Sequence, residues 1–117
     1  MLRYALLISL SSLGLIHTAA AQQPAYAGRW ASEAGWCRNK LGTTDEIPMR
    51  FTARGVEGFE FACTFDKVGG GNGRWDIAAT CRGEGMTEKR RINLSRDGDV
   101  LVWSERGKPS RRLSRCG

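Results

Sequence analysis

Four cysteines, Cys37, Cys63, Cys81 and Cys116, are the residues of this sequence with the most definite chemistry. An even number of cysteines in a short chain with a secretion signal is typical of disulfide bonds. Zinc is the competing ligand, but no two of these cysteines are close in sequence, whereas zinc ligands usually occur in closely spaced pairs. The sequence therefore predicts two disulfides and no metal site.

Groups suited to catalysis are scarce. The single histidine, His17, lies in a segment with the features of a signal peptide, so the mature chain has no imidazole to activate a serine or cysteine. A glycosidase needs two carboxylates on a cleft. Four carboxylates lie near the ends of predicted strands: Glu57, Glu60, Glu84 and Glu88. The sequence predicts a non-enzymatic protein with no catalytic residue and no cofactor; a small carboxylate-dependent hydrolase is an alternative.

The N-terminus has the three parts of a secretory signal peptide. Arg3 supplies a positive charge, residues 4–16 form an apolar run, and Ala19-Ala20-Ala21 fits the cleavage site. The apolar run is shorter than the roughly 20 residues of a spanning helix, which disfavours a membrane anchor. We predict a signal peptide over 1–21, a single β-barrel domain over 22–117, a periplasmic or secreted location, and no integral membrane span.

The chain is basic, with a formal net charge of +6. Clustered cations near the C-terminus are typical of a surface that binds anions. They are Arg106, Lys108, Arg111, Arg112 and Arg115. Export separates the chain from cellular nucleic acid, so the predicted partner is another protein or an anionic envelope component. A solvated surface without a partner is the alternative.

Trp36 stands beside Cys37 in a turn-rich stretch, residues 33–44, that we expect to be a loop tied down by one disulfide. An exposed tryptophan is a common anchor in protein contacts. Trp36 is therefore a candidate partner contact, and packing against the neighbouring disulfide is the alternative.

The elements that position these residues are predicted to be β-strands. Residues 56–82 contain two alternating apolar runs, and alternate residues of a strand share one face. The predicted inner rows are Phe59, Phe61, Cys63 and Phe65, then Trp75, Ile77, Ala79 and Cys81. The glycine-rich stretch 69–73 is expected to form the hairpin loop between them. With Val68 opposite or nearly opposite Trp75, Cys63 lies across from Cys81.

Turn signals recur about every ten residues, and no stretch has sustained helical periodicity. The chain is predicted to be all-β, a small antiparallel meander of about seven strands, closed or nearly closed into a barrel. Residues 22–27 are expected to be a loose lead. Glu88 and Arg90 share the parity of inward-facing Ile92 and are expected to form an ion pair near the barrel mouth.

Two disulfide connectivities fit this order of strands. The favoured one joins Cys63 to Cys81 across the hairpin and Cys37 to Cys116 between the first and last strands. The alternative joins Cys37 to Cys63 and Cys81 to Cys116, because Cys37 also lies at the rim where the third strand ends.

Gly28-x-Trp30, at the start of the first strand, resembles the calycin signature of lipocalins and of bacterial metalloprotease inhibitors of the serralysin-inhibitor type. The resemblance implies that Trp30 closes one end of a barrel. It also implies that a late basic residue, Arg111, Arg112 or Arg115, packs over its ring.

A wider pattern resembles a group of short, exported, uncharacterised proteobacterial proteins and implies no activity. Its elements are Gly28-x-Trp30, Cys37, Gly58-x-Glu60 with Cys63, Trp75 with Cys81-x-Gly83-Glu84-Gly85, and Arg115-Cys116. The sequence thus predicts an exported binding protein, with inhibition of a hydrolase as its candidate role. A lipocalin-type binder of a small ligand or anionic envelope component is the alternative, which the bulky inner rows disfavour.

Overall fold

The computed structural model describes Gly14 and residues 22–117, so the predicted signal peptide over 1–21 lies, apart from Gly14, outside the described residues. Antiparallel strands follow one another around a closed barrel, in which the last strand pairs with the first. The strands are β1 (Gly28–Ala31), β2 (Met49–Thr52), β3 (Gly55–Gly58), β4 (Phe61–Gly71), β5 (Arg74–Gly83), β6 (Met86–Asp97), β7 (Val100–Ser104) and β8 (Arg111–Arg115).

The predicted all-β barrel is confirmed, although it has eight strands and the sequence predicted about seven. The additional strand arises because the region around 56–66 turns back on itself at Phe59–Glu60. Glu60 adopts a left-handed backbone, with φ 54°, where a glycine would normally signal a turn. Phe59, predicted to face inward, therefore lies on the turn and is exposed.

The hairpin of β4 and β5 is longer than predicted. Its strands pair as far as Gly71 and Arg74, so the stretch 69–73 is not a loop, and the turn is Asn72-Gly73 alone. Both turn residues have positive φ, as the Asn-Gly turn of a tight hairpin requires. A bulge beside Phe65 shifts the register, which places Val68 opposite Ile77 and not near Trp75.

Alternate residues of the strands fill the barrel. The predicted inward position of Trp75 is confirmed, and Trp30 and Trp103 also belong to the core. The buried cluster also includes residues from every strand and from the N-terminal lead. Its members are Tyr26, Trp30, Met49, Phe51, Val56, Cys63, Phe65, Trp75, Ile77, Ala79, Cys81, Ile92, Leu94, Leu101, Trp103 and Leu113.

The N-terminal lead is not loose, because Tyr26 is buried in one end of the barrel. Its hydroxyl donates a hydrogen bond of 2.8 Å to the carbonyl of Ala53. Its ring makes edge-to-face contacts with three core aromatics: Phe51, Phe65 and Trp75. We call this end, which carries the turns at 53–54, 72–73 and 98–99, the Tyr26 end.

Trp30 lies next to Tyr26 and is fully buried. Its Nε1 donates a hydrogen bond of 2.9 Å to the carbonyl of Tyr26. Arg115 lies over the Trp30 ring, with Cζ 5.7 Å from its centroid, as expected for one of the three late arginines. Arg96, which was not singled out, lies still closer at 5.2 Å and also donates to the carbonyl of Ala25.

Both disulfides have the favoured connectivity. Cys63 pairs directly with Cys81 across β4 and β5, and the two Cα atoms are 4.0 Å apart. Cys37 joins Cys116, with 5.3 Å between the Cα atoms. The alternative pairing is therefore wrong. The second bond ties a short 3-10 helix, Ala34–Arg38, to the C-terminus.

Candidate functional site

The opposite end of the barrel, the Glu105 end, carries the turns at 59–60 and 84–85, the loop 105–110 and the long connection 32–48. The described residues include four large hydrophobic side chains that are exposed, and three of them lie at this end: Leu41 (80%), Phe59 (42%) and Met86 (65%). The fourth, Val68, lies on β4. Apolar side chains gathered in this way are typical of an interaction surface.

A concavity of about 380 Å³ opens between the turns of the Glu105 end. Phe59, Phe61 and Met86 supply its apolar surface, and Cys81 of the inner disulfide also lines it. A neighbouring groove of about 320 Å³ contains Leu41 and shares Phe61 with the first. The two depressions therefore meet at Phe61, a partly buried residue packed against the core.

Carboxylates surround the first concavity. Glu60, Glu84 and Glu88 all line it and are exposed. The ion pair expected between Glu88 and Arg90 is present but long, with 4.0 Å between Glu88 Oε1 and Arg90 Nε.

Arg90 makes its stronger contact with Glu105, which is less exposed than Glu88. Its Nε donates to Glu105 Oε1 at 2.7 Å, and Nη2 donates to Oε2. Trp103 Nε1 donates to the same carboxylate at 3.1 Å. The hydrogen bond to Glu105 raises the pKa of Arg90, and this effect outweighs burial, which by itself would lower that pKa. Arg90 is thus neutralised within the barrel.

Burial alone would raise the pKa of Glu105. Hydrogen bonds from Arg90 and Trp103, together with the charges of Arg90 and Lys108, outweigh burial and lower that pKa. The pKa of Asp66 is lowered as well, chiefly by the hydroxyl of Thr80. A glycosidase acid needs a raised pKa, so neither carboxyl group is suited to that role.

The predicted basic cluster does not form one patch. Arg106 and Lys108 lie in the loop at the Glu105 end, where Lys108 Nζ is 3.9 Å from Glu105. Arg111 lies over the ring of Trp103, with Cζ 6.0 Å from the centroid. Residues alternate along β8, so Arg112 faces the outside of the barrel, away from the Trp103 ring. Arg115 lies over the Trp30 ring at the Tyr26 end.

Trp36 lies in the 3-10 helix and is half-buried. The exposed apolar residue of the same connection is Leu41, which sequence reasoning missed. Phe59, Met86 and Glu105 were also missed as site residues. Phe59 had been assigned to the core by its parity, and an isolated leucine in a polar loop carries no periodic signal.

Among Gly14 and residues 22–117, no three histidine, cysteine or acidic side chains are grouped as a metal site would require. The same part of the chain contains no helix long and apolar enough to cross a membrane. No protein-family model, curated protein or solved structure matches this chain significantly.

Proposed function

We propose that this protein is an exported, non-enzymatic binding protein that contacts another protein through the Glu105 end of its barrel. The observation that carries the proposal is the exposure of Leu41, Phe59 and Met86 around two adjoining concavities. Burying such side chains against a partner removes apolar surface from water, which contributes roughly 25 cal/mol per Å² before the entropic costs of association are subtracted.

The charges of this end define the chemistry of the partner. Glu60, Glu84 and Glu88 line the apolar concavity together with two arginines, of which Arg90 is neutralised by Glu105. Three carboxylates therefore stand against one exposed arginine, Arg82, that forms no ion pair within residues 22–117. A partner surface that combines apolar and basic side chains complements this arrangement. Arg106 and Lys108 are exposed in the loop after β7, and we predict that they contact acidic groups of the partner outside the concavity.

Inhibition of a hydrolase is the role that this geometry supports best. The connection 32–48 has Leu41 exposed near its middle, and its first part is held by the Cys37–Cys116 disulfide. Asn39 Nδ2 also donates a hydrogen bond of 2.7 Å to the carbonyl of Glu46 and closes the base of the loop. A loop that is ordered before binding loses less entropy when it enters an enzyme cleft.

Export is the cellular context of this proposal. Two disulfides are typical of proteins in oxidising compartments. The apolar run and the alanine-rich cleavage site within residues 1–21 are the features of a signal peptide that directs secretion. We place the protein in the periplasm or outside the cell.

The alternatives have less support. A lipocalin-type binder holds its ligand inside the barrel, but here the interior is occupied by the buried aromatic and aliphatic cluster. A carboxylate-dependent hydrolase needs an acid that its surroundings keep protonated. The four candidate carboxylates, Glu57, Glu60, Glu84 and Glu88, are all exposed, and the less exposed Glu105 is held in its ionised form by Arg90 and Trp103.

Site-specific photo-crosslinking tests the proposal. A photoreactive phenylalanine analogue is placed at Phe59 or Met86, and at Val68 as control, because Val68 is as exposed as Phe59 but lies elsewhere. In cells of the native host, positions 59 and 86 should give the same discrete protein adduct, and position 68 should not. That adduct should disappear when Leu41→Ser is added. Equal adducts at all three positions, or none at 59 and 86, would refute the proposal.

A further inference from the structure

A second concave surface lies on the outside of the barrel. A groove of about 730 Å³ crosses β4–β7, and a depression of about 430 Å³ continues it to β8. Arg74, Ser95 and Val102 line both, so the two form one surface, which we call the outer groove.

Two arginines stand on opposite sides of the outer groove. The strand register places Arg74 opposite Ser95, Ser95 opposite Val102, and Val102 opposite Arg112. Arg74 and Arg112 are therefore three strand spacings apart, about 14 Å between backbones. Both side chains are exposed, and neither forms an ion pair with another residue in 22–117. A ligand that spans the outer groove and carries several anionic groups can meet one guanidinium group at each side.

The next row of the sheet is polar and uncharged except for one carboxylate. Asp76 lies opposite Asn93, which lies opposite Ser104. Carboxylate, amide and hydroxyl groups together offer both donors and acceptors, which suits the hydroxyl groups of a ligand. The neighbouring stretch 69–71 consists of glycines and leaves the backbone open to contact.

The mixture of charges narrows the ligand class. Asp76 and Asp97 lie in the outer groove beside the arginines, so the surface is not uniformly cationic. Single-stranded nucleic acid would use exposed aromatic rings, but Trp75, the aromatic residue in this lining, is only 8% exposed. A concave surface also fits a chain better than the plane of a membrane.

We propose that the outer groove binds an acidic oligosaccharide. Arg74 and Arg112 hold its carboxylate, sulfate or phosphate groups, while Asp76, Asn93 and Ser104 form hydrogen bonds with its hydroxyl groups. The site lies on the side of the barrel and shares no lining residue with the two concavities at the Glu105 end.

Calorimetric titration with a heparin-derived hexasaccharide tests this assignment. Arg74→Gln with Arg112→Gln should weaken binding by about tenfold or more, since each removes a charge-assisted hydrogen bond. The control pair, Arg38→Gln with Arg54→Gln, removes the same charge from exposed positions outside the groove lining. It should change affinity by less than about threefold. Equal losses in both pairs would mean that only net charge matters, and no binding by the wild type would also overturn the proposal.

Comparison with a second ligand, poly-glutamate, tests whether the outer groove binds the hydroxyl groups of the sugar. Asn93→Ala with Ser104→Ala should weaken binding of the hexasaccharide more than binding of poly-glutamate, because the peptide offers these side chains no hydroxyl groups. Equal loss for both ligands, or no loss for either, would contradict the hydrogen-bonding role. Thermal unfolding of each variant shows whether the fold is retained.

Discussion

Arg90 and Glu105 continue the contact between β6 and β7 past the point at which backbone pairing stops. The last backbone pair toward this end joins Asn93 and Ser104. The two side-chain hydrogen bonds lie beyond it, and the side chains are only 24% and 10% exposed. The pair therefore fixes the loop 105–110, which carries Arg106 and Lys108, against β6.

We expect Glu105→Gln to lower the free energy of unfolding by about 1–3 kcal/mol at neutral pH, because Arg90 then loses its buried counter-charge. The pKa of Glu105 is lowered in the folded protein. Such a group stabilises the fold above its unfolded pKa, and this contribution is lost as the pH falls through the folded pKa. In urea unfolding, the difference between wild type and variant should be full at neutral pH and shrink below about pH 4.

Asp66→Asn is the matched control for that measurement. Its partner Lys89 is highly exposed, so the change should affect stability less than Glu105→Gln. A difference between wild type and Glu105→Gln that persisted unchanged at low pH would show that the variant acts through packing and not through charge.

The buried lead gives a second prediction. Tyr26→Phe should cost about 1 kcal/mol of unfolding free energy, since it leaves the carbonyl of Ala53 without its hydrogen bond. Tyr26→Ala should cost about 3–5 kcal/mol, because it also empties the space among Phe51, Phe65 and Trp75. Gln23→Ala, in the exposed part of the lead, should leave the urea midpoint unchanged. If Tyr26→Ala had no more effect than Gln23→Ala, the lead would not be part of the core.

The close approach of β3 and β4 gives a third prediction. A Cβ added at Gly55 would come within 2.5 Å of the carbonyl oxygen of Cys63. Gly55→Ala should therefore force the strands apart and lower the free energy of unfolding by about 1–3 kcal/mol. Gly35, where a Cβ meets nothing within 4 Å, is the control. Gly35→Ala should shift stability by no more than about 0.5 kcal/mol, and equal thermal midpoints for both variants would contradict the predicted contact.

The disulfides give a fourth prediction. The Cys37–Cys116 bond spans 79 residues, and the Cys63–Cys81 bond spans 18. By chain entropy, replacing both cysteines of a pair by serine should cost about 4.5 kcal/mol for the first and about 3 kcal/mol for the second. Peptide mapping without reduction should recover these two pairs and no others; a peptide joining Cys37 to Cys63 would refute the connectivity.

The sequence predicted the features that depend on alternation. The parity of Trp75, Ile77 and Cys81 placed these residues in the barrel, and the facing cysteines were identified despite a register error farther along. The bulge beside Phe65 compensated for that error, because it separates Cys63 from the part of β4 that was misaligned. Alternation is reliable here because each strand has one buried face.

The remaining features depend on contacts that alternation does not encode. The residue with positive φ in the turn between β3 and β4 is Glu60, and a glutamate does not predict a turn. The sequence therefore offered no indication at this position that β3 and β4 are separate strands. Tyr26 is a lone aromatic in a polar lead, and its burial depends on partners from β2, β4 and β5. The apolar surface at the Glu105 end arises only when turns far apart in sequence meet.

Because one disulfide is nested inside the other, the cysteines do not pair in the order in which they emerge during synthesis. Cys37 is the first of the four cysteines to leave the ribosome, and its partner Cys116 is the last. Cys63 and Cys81, which form the inner pair, are both synthesised between them. An oxidase that joins cysteines as they emerge would couple Cys37 to Cys63 and trap the chain. We therefore expect a disulfide isomerase to raise the yield of the native pairing when the chain is oxidised during export.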